Sequence, residues 1–416
     1  MRLEVALAGR PCDHPGTVSS PSIPLVSSVA VRLPDRTRAM ALALGLAAVG
    51  LYLLVGGQDS GTDEFIPLAG ALLHGQLSVD ARPWVELVPV GSLWYVPFPP
   101  VPALFYVPIV AVMGVRPWNE ELASGVMPAI LGGVAVSLAY LLLRKRDVDE
   151  GPALWITGGF ALSTLWWVAG TGGTHHMAQV SAVVFLLGAL WFALDRRRPF
   201  VAGFLFSLAV GSRLPVGASL PLFIYLYRRD TWRFLVGAVP VAALLALYNL
   251  ARFGSVTDFG YARIPSSSST NGLVTGEAWF TEGLESPTYI TRGLTAMLWS
   301  WPRIDLTQAP FVRPSLQSDS LLIAAPFLAW SVFARGRLAI AVGVSAILVI
   351  LVDLMHGSVG FAQFGYRFIL DATPLLLVLL GIAMPRRASL PFRIAVLVGA
   401  VVTAYAYWAI SIDFIA

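Results

Sequence analysis

An all-α, polytopic bundle of membrane-spanning helices is the fold class this sequence predicts, and three observations predict it. The 416 residues are 56% hydrophobic and only 12% charged, a mix that cannot keep a soluble domain in water. The apolar residues fall in runs of the length a helix needs to cross a bilayer. The arginines cluster in the polar gaps between those runs. A net charge of +4 would elsewhere suggest nucleic acid, but the basic residues lie in short separated groups, so a membrane and not a nucleic acid is the expected partner. The single cysteine, Cys12, excludes a disulfide or a thiolate metal site within one chain.

Each element follows in order. Residues 1–38, rich in Pro, Ser and Arg and without an apolar period, read as a disordered basic segment, and Met40 could be the true start. The run 40–56 is too long for a signal-peptide core and predicts an uncleaved first span. Arginine clusters at Arg32/Arg36/Arg38, Arg144–Arg146, Arg196–Arg198, Arg228/Arg229/Arg233, Arg335/Arg337 and Arg386/Arg387/Arg393 all become cytoplasmic, with a cytoplasmic N-terminus, for about eleven spans. These are 40–56, 122–143, 152–169, 177–194, 200–212, 214–227, 234–251, 319–334, 338–355, 367–384 and 394–412.

Residues 39–416 thus form one transmembrane domain with two long outer loops, about 57–121 and 254–318. The apolar stretch Val101–Gly114 would reach only about 21 Å as a helix, short of a roughly 30 Å hydrocarbon core. It is therefore expected to lie along the outer surface as a juxtamembrane helix. The arms 200–212 and 214–227 are also short, which lowers their turn, Gly211-Ser-Arg-Leu-Pro215, below the outer boundary. Arg213 is then inside the protein at membrane depth, where a charge needs a partner or a cavity.

The polar residues that could carry chemistry lie towards the outer side. Gly61-Thr-Asp-Glu-Phe65 opens the first loop and sets two adjacent carboxylates, Asp63 and Glu64, where membrane meets water. Two readings stand side by side. Asp63 could be a general base of partly desolvated basicity, or it could cap the next helix with Glu64 in its first turn. The pair also leaves room for a divalent cation, although no ligand cage is visible. His175 and His176, within Thr171-Gly-Gly-Thr-His-His-Met-Ala-Gln179, point about 100° apart on a helix, so they suit polar contact with a substrate better than a metal. Tyr248, Asn249 and Arg252 end the seventh span, and Gly365-Tyr-Arg-Phe368 opens the tenth, with Asp371 one turn deeper. Arg213, Arg252 and Arg367 share a depth, and guanidinium groups bind phosphate oxygens bidentately.

In this order the elements resemble the GT-C superfamily of integral-membrane glycosyltransferases, in the branch of protein O-mannosyltransferases and aminoarabinose transferases. The likeness runs over about residues 40–384: a first span, Asp63-Glu64, Pro99-Pro100 leading to Val112-Met-Gly114, a span closing on a basic cluster, Arg213-Leu-Pro215, Tyr248-Asn249 with Arg252-Phe-Gly254, and Gly365-Tyr-Arg-Phe368 with Pro374 beyond. The resemblance implies a polyprenyl-phosphate-linked sugar as donor, a lipid, glycan or protein hydroxyl as acceptor, and inversion at the anomeric carbon. It implies that Asp63 is the base with Glu64 in support. Arg367, then Arg252, then Arg213, would hold the donor phosphate, and Tyr95, His175, His176, Tyr248, Asn249 and Tyr366 would line the substrate cavity on the extracytoplasmic face. Two departures stand out: Phe98 occupies the place before Pro99-Pro100 where a basic residue is common, and only about 100 residues follow Ser318, with no large soluble domain among them. A transporter or flippase of a lipid-linked saccharide would need similar outer arginines and is the competing expectation.

Overall fold

The computed structural model describes residues 33–55, 63–82, 86–264, 280–315, 317–361 and 363–415. The first helix, α1, spans Asp35–Val55, so the chain is helical five residues before the expected 40. Asp35 in its first turn complements the helix dipole, which accounts for the earlier start. Of the segment expected to be disordered, residues 1–32 lie outside the described residues, as do Gly61 and Thr62 before the carboxylate pair.

The first loop then builds α2 (Phe65–Leu73), a hairpin of β1 (Val88–Val90) and β2 (Leu93–Tyr95), a 3-10 turn over Val101–Phe105, and α3 (Val107–Met113). The prolines at 102 and 108 sit at the starts of the last two, where a missing N–H costs nothing. Val101–Gly114 is thus two short helices and not one long one. The hairpin, and a second one pairing β3 (Arg303–Ile304) with β4 (Val312–Arg313), are additions to the all-α expectation. Gly91, at φ 63°, supplies the left-handed turn that lets β1 reverse into β2.

Helix α4 (Pro117–Lys145) begins five residues before the expected second span. It packs on α1 through small residues: a Cβ on Gly133 would collide with the Gly45 carbonyl, and Ser137 Oγ donates to Ala41 O at 2.8 Å. The expected span 152–169 is two helices, α5 (Glu150–Ala161) and α6 (Thr164–Thr171), bent by 47°. Then follow α7 (Thr174–Ala193), α8 (Pro199–Val210), a 3-10 turn into α9 (Leu220–Tyr227), and α10 (Thr231–Phe253). In the last third, the expected span 319–334 is a four-residue helix and a 3-10 segment, followed by α11 (Arg337–Leu354), α12 (Ile369–Ala383) and α13 (Leu390–Ile415).

Six helical stretches among the described residues are long and apolar enough to cross a membrane, seven if the bent α5–α6 pair is one crossing. Pro199–Val210 and Ile369–Ala383 are shorter apolar helices. The difference from eleven has a physical origin, since hydropathy counts apolar residues while Gly and Pro break several of those runs into short pieces.

The basic clusters gather at one end of the bundle. Arg36 pairs with Glu150 at 3.3 Å, Asp149 N–H donates to Pro385 O at 2.7 Å, and Lys145 pairs with Asp195 at 2.7 Å. Tyr227 donates to Arg197 O at 3.1 Å, which turns the chain between α9 and α10 at that same end. Apolar side chains such as Leu42, Leu54, Leu244, Ile340 and Val401 face outward from the helices, as a lipid-facing surface requires.

Candidate functional site

At the opposite end, the start of α7 meets the first loop. Glu64 is buried; its N–H donates to Thr174 Oγ1 at 2.9 Å, Thr174 Oγ1 donates back to Glu64 Oε2, and Glu64 Oε1 accepts from the Glu86 N–H at 3.1 Å. Burial raises the Glu64 carboxyl above its ordinary value, and the Thr174 hydroxyl and the nearby His175 only partly offset it. Glu64 is therefore a clamp between loop and helix. Asp63 is half-buried, and its Oδ1 accepts from the Ile66 N–H at 2.8 Å, so it caps α2. The Tyr106 hydroxyl lies beside Asp63 and is pushed well up by burial and by that carboxylate.

Glu86 pairs with His175 across this group, Nε2 lying 3.4 Å from Oε2. Burial alone would raise Glu86, but the hydrogen bond and charge of His175, with Arg367 and His356 behind it, outweigh burial and hold the carboxyl below its ordinary value. Phe98 meets the His175 ring edge-to-face at 4.9 Å and the Tyr261 ring at 5.8 Å. The aromatic residue before Pro99-Pro100 is thus the surface against which the His175–Glu86 pair is set.

The turn before α12 supplies the third wall. Arg213 reaches Asp371 with Nη2 at 2.8 Å and Nε at 2.9 Å from Oδ2, and Asp353 with Nη2 at 3.5 Å. That pairing joins the turn between α8 and α9 to the end of α11 and the start of α12. Tyr366 donates to Asp353 O at 3.2 Å, fixing the same corner. The bidentate Asp371 carboxylate balances the Arg213 charge, with Asp353 close by, which meets the demand of a charge inside the protein. Arg367 differs. It is buried, its backbone N–H donates to Gln363 Oε1 at 3.0 Å, and its guanidinium stands 5.3 Å from the Phe368 ring. Its Nε has no hydrogen-bond partner among the described residues, and Glu86 and Asp371 act on it through charge without bonding to it. His356, edge-on to Phe368 at 5.9 Å, is held down to about 3 by burial and by the charge of Arg213, so it is neutral.

Arg252 sits apart from this corner. Its guanidinium lies over Tyr248 at 3.7 Å and Phe253 at 4.5 Å, donates to Asn249 Oδ1 at 2.8 Å, and also bonds Val96 O. Tyr95 packs on Phe253 at 5.9 Å. Tyr95, Tyr248 and Asn249 are therefore the housing of Arg252, and its donors are largely occupied. The two regions meet at Tyr261, whose hydroxyl is raised by burial while the charges of Arg213 and Arg252 both act to lower it. Among the described residues no three of His, Cys, Asp or Glu converge as metal ligands.

The structure thus brings Glu64, His175, Arg213, Arg367 and Tyr366 to one end, with His176 behind them and Arg252 across Tyr261. Sequence reasoning missed Thr174, Glu86, Tyr261, Asp353, His356 and Gln363. A signal for Asp353 was present, since an aspartate inside Leu351-Val-Asp-Leu354 is a charge in an apolar run. Glu86 had none: it stands alone between Trp84-Val and Leu-Val, and only the folded loop turns it to His175.

No protein-family model matches the chain. No curated protein matches it. Among solved structures it is similar to ArnT from Cupriavidus metallidurans bound to undecaprenyl phosphate, at 14% identity and a TM-score of 0.50, over 88% of this chain and 63% of that one. The apo state of the same protein matches at 16% identity and a TM-score of 0.48, over 85% and 61%. The apo oligosaccharyltransferase of Archaeoglobus fulgidus matches at 15% identity and 0.47, over 90% and 56%. The chain spans less than two thirds of the length of each. At these identities the likeness is one of fold alone: the chain shares the fold of that ArnT.

Proposed function

We propose that the protein is a membrane glycosyltransferase that moves a sugar from a polyprenyl-phosphate donor to an acceptor hydroxyl, at the end of the bundle away from the basic clusters. By the charge rule that end is extracytoplasmic. The observation that carries the reading is Arg367: a buried guanidinium with an unbonded Nε and no salt bridge among the described residues, beside a loop that supplies carboxylates and a histidine. A buried cation that no carboxylate bonds directly is costly, and an anionic ligand that does so relieves the cost. A lipid phosphate is the anion such a depth offers, and ArnT, which shares the fold, was crystallised with one.

The step is a single inverting displacement. The acceptor oxygen attacks the anomeric carbon, its proton passes to the Asp63 carboxylate, and the bond from that carbon to the phosphate oxygen breaks with its electrons going to the polyprenyl phosphate. Arg367 stabilises the charge growing on the leaving phosphate, the kind of preorganised help that is often the largest catalytic contribution. Asp63 suits the base role better than Glu64, because Glu64 is buried with both oxygens engaged. Arg213, bound by Asp371 with Asp353 close by, and Arg252, occupied by Asn249 and backbone, shape the field around the phosphate rather than grip it.

The test uses the purified protein with radiolabelled polyprenyl-phosphate hexoses and pentoses and an acceptor fraction from the cell envelope. Release of polyprenyl phosphate that depends on acceptor is the expected result. Movement of the intact lipid-linked sugar across the bilayer, with no bond broken, would instead make the protein a transporter.

A further inference from the structure

Behind the ion-paired corner lies a set of buried polar groups that the reading above leaves without work. His176 Nδ1 donates to the Gly172 carbonyl at 2.5 Å, with Thr171 Oγ1 at 3.0 Å. A carbonyl only accepts, so the proton is on Nδ1 and Nε2 presents a bare lone pair. That Nε2 is buried and has no hydrogen-bond partner. Gln179, one helical turn deeper on the same face of α7, is fully buried, and both its Oε1 and its Nε2 lack partners. Arg367 Nε adds a second unused buried donor beside that of Gln179.

Helix α6 is the wall that His176 and the turn carrying Arg367 share. His176 rests on its C-terminal turn through Gly172 and Thr171. The turn carrying Arg367 rests on its flank, where Phe364 meets Trp167 at 6.1 Å and a Cβ on Gly365 would lie 3.4 Å from Thr164 Oγ1, itself buried and unbonded. Arg367 also acts electrostatically on His176.

Buried polar atoms are nearly always bonded, and each exception needs a reason. Here the mixture of donors and acceptors identifies the ligand. A phosphate offers only acceptors, and it would meet a lone pair at His176 Nε2 and another at Gln179 Oε1. A hydroxyl both donates and accepts, and neighbouring ring hydroxyls match a row of acceptor, donor–acceptor and donor.

We propose that His176 and Gln179, with Arg367 Nε beside them, form a subsite for the ring hydroxyls of the sugar carried by the donor lipid, and so decide which sugar is used. The subsite rests on the donor reading above, but it makes a separate claim. The phosphate is held by charge, whereas the sugar is selected chiefly by the neutral hydrogen-bonding groups of His176 and Gln179 inside the bundle. A site built to bond a hydroxyl discriminates strongly, because the wrong sugar leaves its buried groups unpaired.

Binding in nanodiscs separates the two claims. The probes are bare polyprenyl phosphate and polyprenyl phosphates bearing a hexose, a pentose or an amino sugar, measured against the wild type, His176→Phe and Gln179→Met. At least one sugar should bind the wild type tenfold or more tighter than the bare lipid phosphate. Each substitution should remove about tenfold of that advantage and leave the bare lipid's affinity unchanged. If a variant fails to fold, deoxy analogues of the preferred sugar on the wild type take its place, with one hydroxyl accounting for the loss. An advantage that survives both substitutions, a parallel loss for bare and sugar-bearing lipid, or no sugar advantage in the wild type would each overturn the subsite. Failure of bare polyprenyl phosphate to bind at all would instead overturn the donor reading.

Discussion

Asp63 is the cap of α2 and the proposed base at once, and the two roles are compatible. The bond from Ile66 N–H to Oδ1 fixes the carboxylate's direction, as a base that must meet a hydroxyl requires. Sequence alone could not choose between cap and catalyst, because both use an aspartate just before an apolar helix. Its neighbours Glu64 and Glu86 titrate with opposite sign, which gives a direct check. Glu64 is raised, so the folded state favours its protonated form, and the wild type loses stability as pH rises from about 4.5 through the folded value. The melting temperature of Glu64→Gln relative to wild type should therefore climb over that range. Glu86 is lowered, so its contribution is complete above about 4.5 and is lost as pH falls through its folded value. Glu86→Gln should be the less stable protein at neutral pH and should approach the wild type on acidification. Parallel pH trends for the two variants would contradict the assignment of the two carboxylates.

The turn between α8 and α9 shows what an element-level reading of sequence can reach. Two short arms between arginine clusters placed Arg213 inside the protein, and it is there. That its partners are Asp371 and Asp353, more than 100 residues away, was not legible, since the α11–α12 packing creates the pairing. Removing one side of a buried pair leaves uncompensated charge, at a typical cost of about 3–5 kcal/mol. Arg213→Met should lower the thermal midpoint sharply in detergent, and adding Asp371→Asn should recover part of the loss. A double variant less stable than Arg213→Met alone would show that the pair is not the source. The helix breaks were harder to read for a similar reason. Hydropathy sees the apolar run 152–169, but the 47° bend within it depends on how α5 and α6 pack.

At the scale of the molecule, the arginine clusters told the most. Contacts such as Arg36–Glu150, Lys145–Asp195 and Tyr227–Arg197 put them at one end, and the carboxylates, histidines and Arg367 at the other. Because Cys12 is the single cysteine, a Cys12→Ser background allows the sides to be labelled separately. Ser92→Cys, at the tip of the first-loop hairpin, should react with a membrane-impermeant maleimide in intact cells, and Arg335→Cys should react only after permeabilisation. The reverse pattern would invert the topology. The central claim is that Asp63 removes the acceptor's proton at the outer end of a GT-C fold. The most direct measurement is turnover of a polyprenyl-phosphate sugar by Asp63→Asn against wild type, with donor binding measured alongside. A fall in turnover of about 10² to 10⁴ with donor affinity retained is the predicted result, and full turnover by Asp63→Asn would contradict it.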